Sequence, residues 1–144
     1  MDSKEVDVYI ETARGQLEDA RLAFREGRYA LSSFLSALSA ENATSALLIK
    51  LGAQPSRKHK NSLVLYRITP SVAQELQPIL TELIDSLRFL EPHITMSRYP
   101  IRKGLELLPP DRFYTKEIAE RCLSLAEYVL EGCIRGISLA SGRE

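Results

Sequence analysis

Apolar residues recur at helical spacing along almost the whole chain, and this recurrence limits the fold more than any other feature. Val6, Ile10, Ala13, Leu17, Ala20 and Phe24 step by four and three, one stripe of an α-helix. Gly27 ends that run, and Glu11, Arg14, Glu18, Arg21, Arg25 and Arg28 form its solvated side. Val72, Leu76, Ile79, Leu83, Leu87 and Leu90 make a second stripe, and Tyr114, Ile118, Cys122, Leu125, Val129 and Gly132 a third. Between the first two lies a different helix, about Tyr29 to Leu51. Serine and alanine fill it between larger residues such as Leu31, Phe34, Leu35 and Leu38, and Glu41 is its one charge before Lys50. A helix nearly free of charge on all sides is covered on most of them. It is therefore expected at the centre of the fold or in a subunit contact, with Gly52 as its left-handed cap.

The connections follow from local punctuation. The stretch LGAQPSRKHKNS reads as a loop, and Asn61 to Ile68 as a short helix. Thr69-Pro70 is a helix start signal. Pro78 falls inside the helix that follows and should kink it or split off its first turns. Glu91-Pro92 should stop it. Residues 92–111 hold Pro92, Pro100, Gly104, Pro109 and Pro110, too many for regular helix, and Asp111 can cap the last helix. No strand alternation competes. The expected fold is all-α, an up-and-down bundle of four to five helices forming a single domain over residues 1–144.

Composition narrows the function classes. Hydrophobic residues make up 44% and the formal net charge is zero, so the chain can bury a core but has no overall pull on a duplex or an anionic membrane. The opening MDSKEVDVY lacks the apolar core of a signal peptide, and the least charged run, Ala30 to Ile49, is too polar to span a membrane. Cys122 and Cys133 sit about 16 Å apart along one helix, beyond disulfide reach. A reduced, cytoplasmic protein is expected.

Charge is concentrated locally instead. No acidic residue occurs between Glu41 and Glu75, while Lys50, Arg57, Lys58, Lys60 and Arg67 do, with His59 among them. A second basic cluster, Arg98, Arg102 and Lys103, surrounds Tyr99-Pro100, where proline forces an extended backbone. Arginine's planar fork suits phosphate, and an adjacent tyrosine offers a stacking surface. Arg57, Lys58, His59, Arg98, Tyr99, Arg102 and Lys103 are thus candidate contacts for a phosphate-bearing ligand. The structural alternative pairs Arg98 with Glu41 or Asp19, two carboxylates expected to be buried; an Arg or Lys is expected opposite Glu41. Two distant histidines with no nearby cysteine make a zinc site improbable, and no phosphate loop, nucleophile elbow or dinucleotide fingerprint occurs, so no metal or cofactor is expected.

In order, these pieces resemble the HEPN domain family over about residues 6 to 138. The resemblance rests on A-R-G-Q-L-E-D-A-R-L-A-F (Ala13 to Phe24), on S-A-E-N-A-T-S-A-L-L-I-K-L-G (Ser39 to Gly52), on His59 ahead of Leu63 and Leu65, and on Arg98-Tyr99-Pro100, similar to the R-Y-P of small prokaryotic members. Asn42 and Ser45 stand where the family favours lysine. The resemblance implies a helical bundle, commonly homodimeric, that binds a nucleotide or RNA. It often works beside a minimal nucleotidyltransferase in two-component systems of the toxin–antitoxin kind. Ribonuclease members carry R-x(4–6)-H, which Arg88 and His93 satisfy in spacing, so a metal-independent ribonuclease is one alternative. A dimeric protein-interaction module without nucleotide is the other.

Overall fold

The computed structural model describes residues 3–142; residues 1–2 and 143–144, the ends of the expected 1–144 domain, lie outside the described residues. Seven α-helices, two 3-10 turns and one hairpin follow in order. They are α1 (Ser3–Arg25), α2 (Tyr29–Lys50), α3 (Asn61–Ile68), turns at Thr69–Ser71 and Gln74–Leu76, and α4 (Gln77–Leu90). Then come α5 (Pro92–Met96), β1 (Ile101–Lys103), β2 (Glu106–Leu108), α6 (Pro110–Phe113) and α7 (Lys116–Ala140). The all-α helical bundle stands, with α1, α2, α4 and α7 as its long members.

Helix α2 is the central one, and its small residues are the reason. Ala37, Ala40, Ala43 and Ala46 are at most 2% exposed, so neighbouring backbones approach closely. On the α1 side Ser32 and Ser39 donate their hydroxyls to the carbonyls of Ala20 and Ala13, at 2.8 and 2.7 Å. On the α7 side Gly136 brings its backbone against Leu47, and a Cβ there would lie 3.1 Å from Leu47 Cδ1. Gly27 and Gly52 end α1 and α2 with φ of 74° and 82°, the left-handed conformation a terminating glycine supplies.

Several boundaries differ from the sequence reading. Thr69-Pro70 opens a 3-10 turn rather than the long helix, and α4 begins only at Gln77. Pro78 therefore sits in the first turn, where its missing N–H has no partner to lose, and the turns before it are split off as 3-10 segments, one of the two outcomes expected of it. Glu91-Pro92 does end α4, at Leu90, but Glu91 keeps helical dihedrals and Pro92 at once starts the short α5. Asp111 lies in the short α6; the N-cap of α7 is Thr115, which accepts from the Ile118 amide at 3.2 Å. Residues 101–108, expected to be irregular, form an antiparallel hairpin with Arg102 opposite Leu107 and Lys103 opposite Glu106. Gly104, at φ 62°, occupies the first position of its two-residue turn.

Among the described residues no helix is long and apolar enough to cross a membrane, and no cluster of metal-ligating side chains occurs. Both cysteines are free and buried. Burial pushes the Cys122 thiol up to about 11 and Cys133 higher still, so neither is a thiolate at neutral pH.

Candidate phosphate-binding loop and basic hairpin

The loop after α2 doubles back along that helix and is pinned to its middle. Asn61, 1% exposed, holds the two together. Its carbonyl oxygen accepts from the Ser56 amide at 2.9 Å, and its amide group donates to the Glu41 carbonyl (3.1 Å), Thr44 Oγ1 (2.9 Å) and Ser45 Oγ (3.1 Å). Ser56 Oγ in turn accepts from the amides of Lys58 and Lys60, at 3.0 and 3.1 Å. This knot turns His59 into the left-handed region at φ 60°, among the described residues the one non-glycine there. Non-glycine residues adopt that conformation uncommonly, histidine more readily than most, and here the surrounding bonds hold it.

His59 Nδ1 lies 3.0 and 3.1 Å from the two oxygens of Glu41. The carboxylate accepts from Nδ1–H, which leaves Nε2 directed away from it. The imidazole is 44% exposed and the carboxylate 19%. Glu41 is therefore partnered by a histidine rather than by the expected Arg or Lys. Beside the pair opens a cleft of about 600 Å³, bordered by Glu5, Tyr9, Glu41, Gln54, Ser56 and Arg57. Arg57, Lys58 and Lys60 are exposed on the same loop.

The second basic cluster is arranged differently. Arg98 pairs with neither Glu41 nor Asp19. Its Nε donates to the Ile94 carbonyl at 2.7 Å, and its guanidinium lies 5.4 Å from the ring centres of both Phe34 and Tyr99. Asp19, expected to be buried, is exposed, because it sits one step off the apolar stripe of α1. Arg102 and Lys103 are consecutive on β1, so their side chains leave opposite faces of the hairpin. Tyr99 is 55% exposed. Phe34 and Glu41 are seven residues apart on α2, so Arg98 and His59 do reach one side of that helix, about 10.5 Å apart along its axis.

Arg88 and His93, the ribonuclease-type pair, have different surroundings. Arg88 is exposed on α4. His93 is 8% exposed, and its Nδ1 lies 2.6 Å from the Tyr114 hydroxyl. Phe89 and Tyr114 pack on its ring at 5.1 and 5.4 Å, and burial holds its pKa below the usual histidine value. Next to it Glu91 is buried and accepts from the Ser62 amide (2.8 Å) and hydroxyl (2.7 Å), capping α3 from a distance. Burial raises its pKa, and the two Ser62 bonds oppose that shift only in part.

The chain is thus a small helical bundle that exposes one cluster of cations on a buttressed loop and another on a hairpin. It belongs to the HEPN domain family, whose profile matches residues 6–137. It is 35% identical over 130 residues to "Putative toxin MJ1304" of Methanocaldococcus jannaschii, covering 89% of this chain and 85% of that one. Among solved structures it resembles ST0689, an archaeal HEPN homologue, with a TM-score of 0.68 at 30% identity, covering 92% of this chain and 97% of the other. It also resembles TT1696 from Thermus thermophilus, with a TM-score of 0.72 at 25% identity, covering 91% and 97%.

Sequence reasoning singles out the loop's cations but misses its scaffold. Asn61 and Ser56 carry no motif, and the available cue is only that Asn61 opens a helix directly after a polar loop. The pairing of His59 with Glu41, eighteen positions away, has no local signature.

Proposed function

We propose that this HEPN protein binds a phosphate-bearing ligand, a nucleotide or RNA, through the loop Arg57–Lys60. The observation that carries this is the geometry of His59, held at positive φ on Glu41 between Lys58 and Lys60, next to a cleft that Glu41 and Arg57 line. Backbone strain of this kind costs about 1–3 kcal/mol and persists where surrounding bonds over-determine it, as at ligand sites. Arg57 and Lys58 would contact phosphate, while His59 presents Nε2 to the ligand. Titration calorimetry with ATP, GTP and a short RNA tests this. Binding that weakens at least tenfold in Arg57→Gln/Lys58→Gln supports it; no heat with any of the three at millimolar ligand refutes it.

The toxin-named relative supports a toxin-like role in a two-component system, for which the family resemblance suggests a minimal nucleotidyltransferase as partner. The hairpin is the proposed contact for that partner or for a second copy of the chain. Tyr99, Leu105 and Leu107 are 55%, 101% and 55% exposed, beside Arg98, Arg102 and Lys103. Co-expression with a neighbouring nucleotidyltransferase, followed by co-purification, should recover a complex that Leu105→Glu/Leu107→Glu weakens. A ribonuclease acting through Arg88 and His93 has less support, because the His93 ring is buried and held by Tyr114.

A further inference from the structure

Helix α3 shows solvent a face that packing does not explain. Leu63 is 44% and Tyr66 62% exposed, and among the described residues the Tyr66 ring meets no other ring and no guanidinium. Arg67 follows it on the same helix. Arg88, from α4, borders two adjoining clefts. One, of about 430 Å³, also holds Tyr66, Arg67, Thr69 and Asp85; the other, of about 320 Å³, also holds Lys60, Leu63 and Glu91. Among the described residues no ion pair involves Lys60, Arg67 or Arg88. Two carboxylates face them, Asp85 and Glu91, the latter hydrogen-bonded through both oxygens to Ser62 and within reach of the Lys60 charge, so the cations outnumber the carboxylates three to two. Arg67 and Arg88 thus share a cleft with one unstacked aromatic ring, and Lys60 lies in the adjoining cleft.

That composition discriminates between occupants. Protein interface cores take in Tyr and Arg but little Lys, so Tyr66, Arg67 and Arg88 suit either kind of partner; what favours nucleic acid is the excess of cations, Lys60 among them, over the carboxylates that face them. Single-stranded nucleic acid combines what the surface lacks, negative charge along a backbone and planar bases free to stack. A duplex offers the charge but keeps its bases stacked on one another.

We propose that the outer face of α3 and α4 is a track for single-stranded nucleic acid. Tyr66 stacks a base, Arg67 and Arg88 hold the flanking phosphates, and Lys60 leads the backbone towards the Arg57–Lys58 loop. This rests on the phosphate-binding reading above but assigns different residues, so the two are separable.

Fluorescence anisotropy with labelled ten-nucleotide oligouridylate, oligothymidylate and a blunt duplex, at several potassium chloride concentrations, tests the track. Single strands should bind more tightly than duplex. Tyr66→Ala should weaken binding about 5- to 150-fold while leaving the salt slope unchanged, because stacking carries no counterion release. Arg67→Gln and Arg88→Gln should each reduce the logarithmic salt slope by about 0.7. Tyr66 and Arg67 are exposed, so these variants should melt as the wild type does. Equal binding of RNA and DNA, or of RNA alone, supports the track and differs only in the part played by the 2′-hydroxyl. If the three variants bind as wild type while Arg57→Gln/Lys58→Gln does not, the track is refuted and the loop reading stands. If ATP binds but no oligonucleotide does, or duplex is preferred, the track is likewise refuted. If nothing binds, both readings fall.

Discussion

Replacing Asn61 by alanine should loosen the loop without touching any proposed ligand contact. The substitution removes one acceptor, used by the Ser56 amide, and the donors that serve the Glu41 carbonyl, Thr44 Oγ1 and Ser45 Oγ. Part of the loss is recovered locally. Thr44 keeps its own bonds to the Ala40 and Glu41 carbonyls, at 2.9 and 3.0 Å. The Ser56 amide and Ser45 hydroxyl have no such replacement. A lost hydrogen bond contributes about 1 kcal/mol, and a buried group stranded by it costs about 1–3 kcal/mol, so about 3 kcal/mol is expected in all. For a domain of this size that corresponds to a fall in Tm of about 10 °C. Circular dichroism melting and urea unfolding measure it. Hydrogen exchange should show faster exchange at the amides of Ser56, Lys58 and Lys60, and nucleotide affinity should drop with it. A Tm within about 3 °C of wild type, with those amides still protected, would mean that Asn61 does not hold the loop and that the geometry of His59 has another source.

Two buried titratable groups give stability slopes of opposite sign. Folded His93 resists protonation, so its contribution is present above the unfolded value of 6.5 and is lost as pH falls below it; His93→Gln should flatten unfolding free energy across that window. Folded Glu91 holds its proton to higher pH than the unfolded chain does. Its contribution is therefore full below the unfolded value of 4.5 and declines as pH rises through the folded value. The stability difference between wild type and Glu91→Gln should accordingly shift in favour of wild type on acidification, and a pH-independent difference would contradict this. Gly136→Val should cost about 2 kcal/mol in urea unfolding, because even its Cβ meets Leu47 at 3.1 Å, whereas in Gly136→Ala helix propensity offsets much of the contact. Full stability of the valine variant would show that the α2–α7 seam yields.

The long helices are legible because each carries an apolar stripe through several turns, and α2 declares its central place by lacking charge. Shorter features are not. The strands are three residues each, too brief for alternation to register, although Gly104 sits where a two-residue hairpin turn wants it. Pro78 reads as interior because the stripe Val72–Leu76–Ile79 runs unbroken across the 3-10 turn Gln74–Leu76 into α4, which hides the true start. Asp19 reads as buried from its place beside Ala20, but adjacent residues on a helix face directions about 100° apart. At the site, the cations are visible as composition. Which of them stay available is not, because that depends on tertiary partners: Arg98 is engaged by Phe34, Tyr99 and Ile94, while the Arg57–Lys60 loop is held by side chains that leave its cations outward.

The loop and the bundle share one rigid element, and this has an energetic consequence. The alanines and serines that seat α2 between α1 and α7 also fix where the Glu41 carboxylate and carbonyl sit. The positive φ of His59 is held from two sides. Glu41 holds the ring, and Ser56, itself tied to α2 through Asn61, holds the amides. Loosening α2 should therefore release His59 before the bundle unfolds. Conversely, a ligand seated on the loop should stabilise the whole fold, by about 2.7 kcal/mol at a hundredfold excess over Kd. In the Asn61→Ala background, part of that binding energy goes into ordering the loop. The ligand-induced rise in Tm should then be smaller at equal concentration. An undiminished rise would show that the ligand sits elsewhere on the molecule.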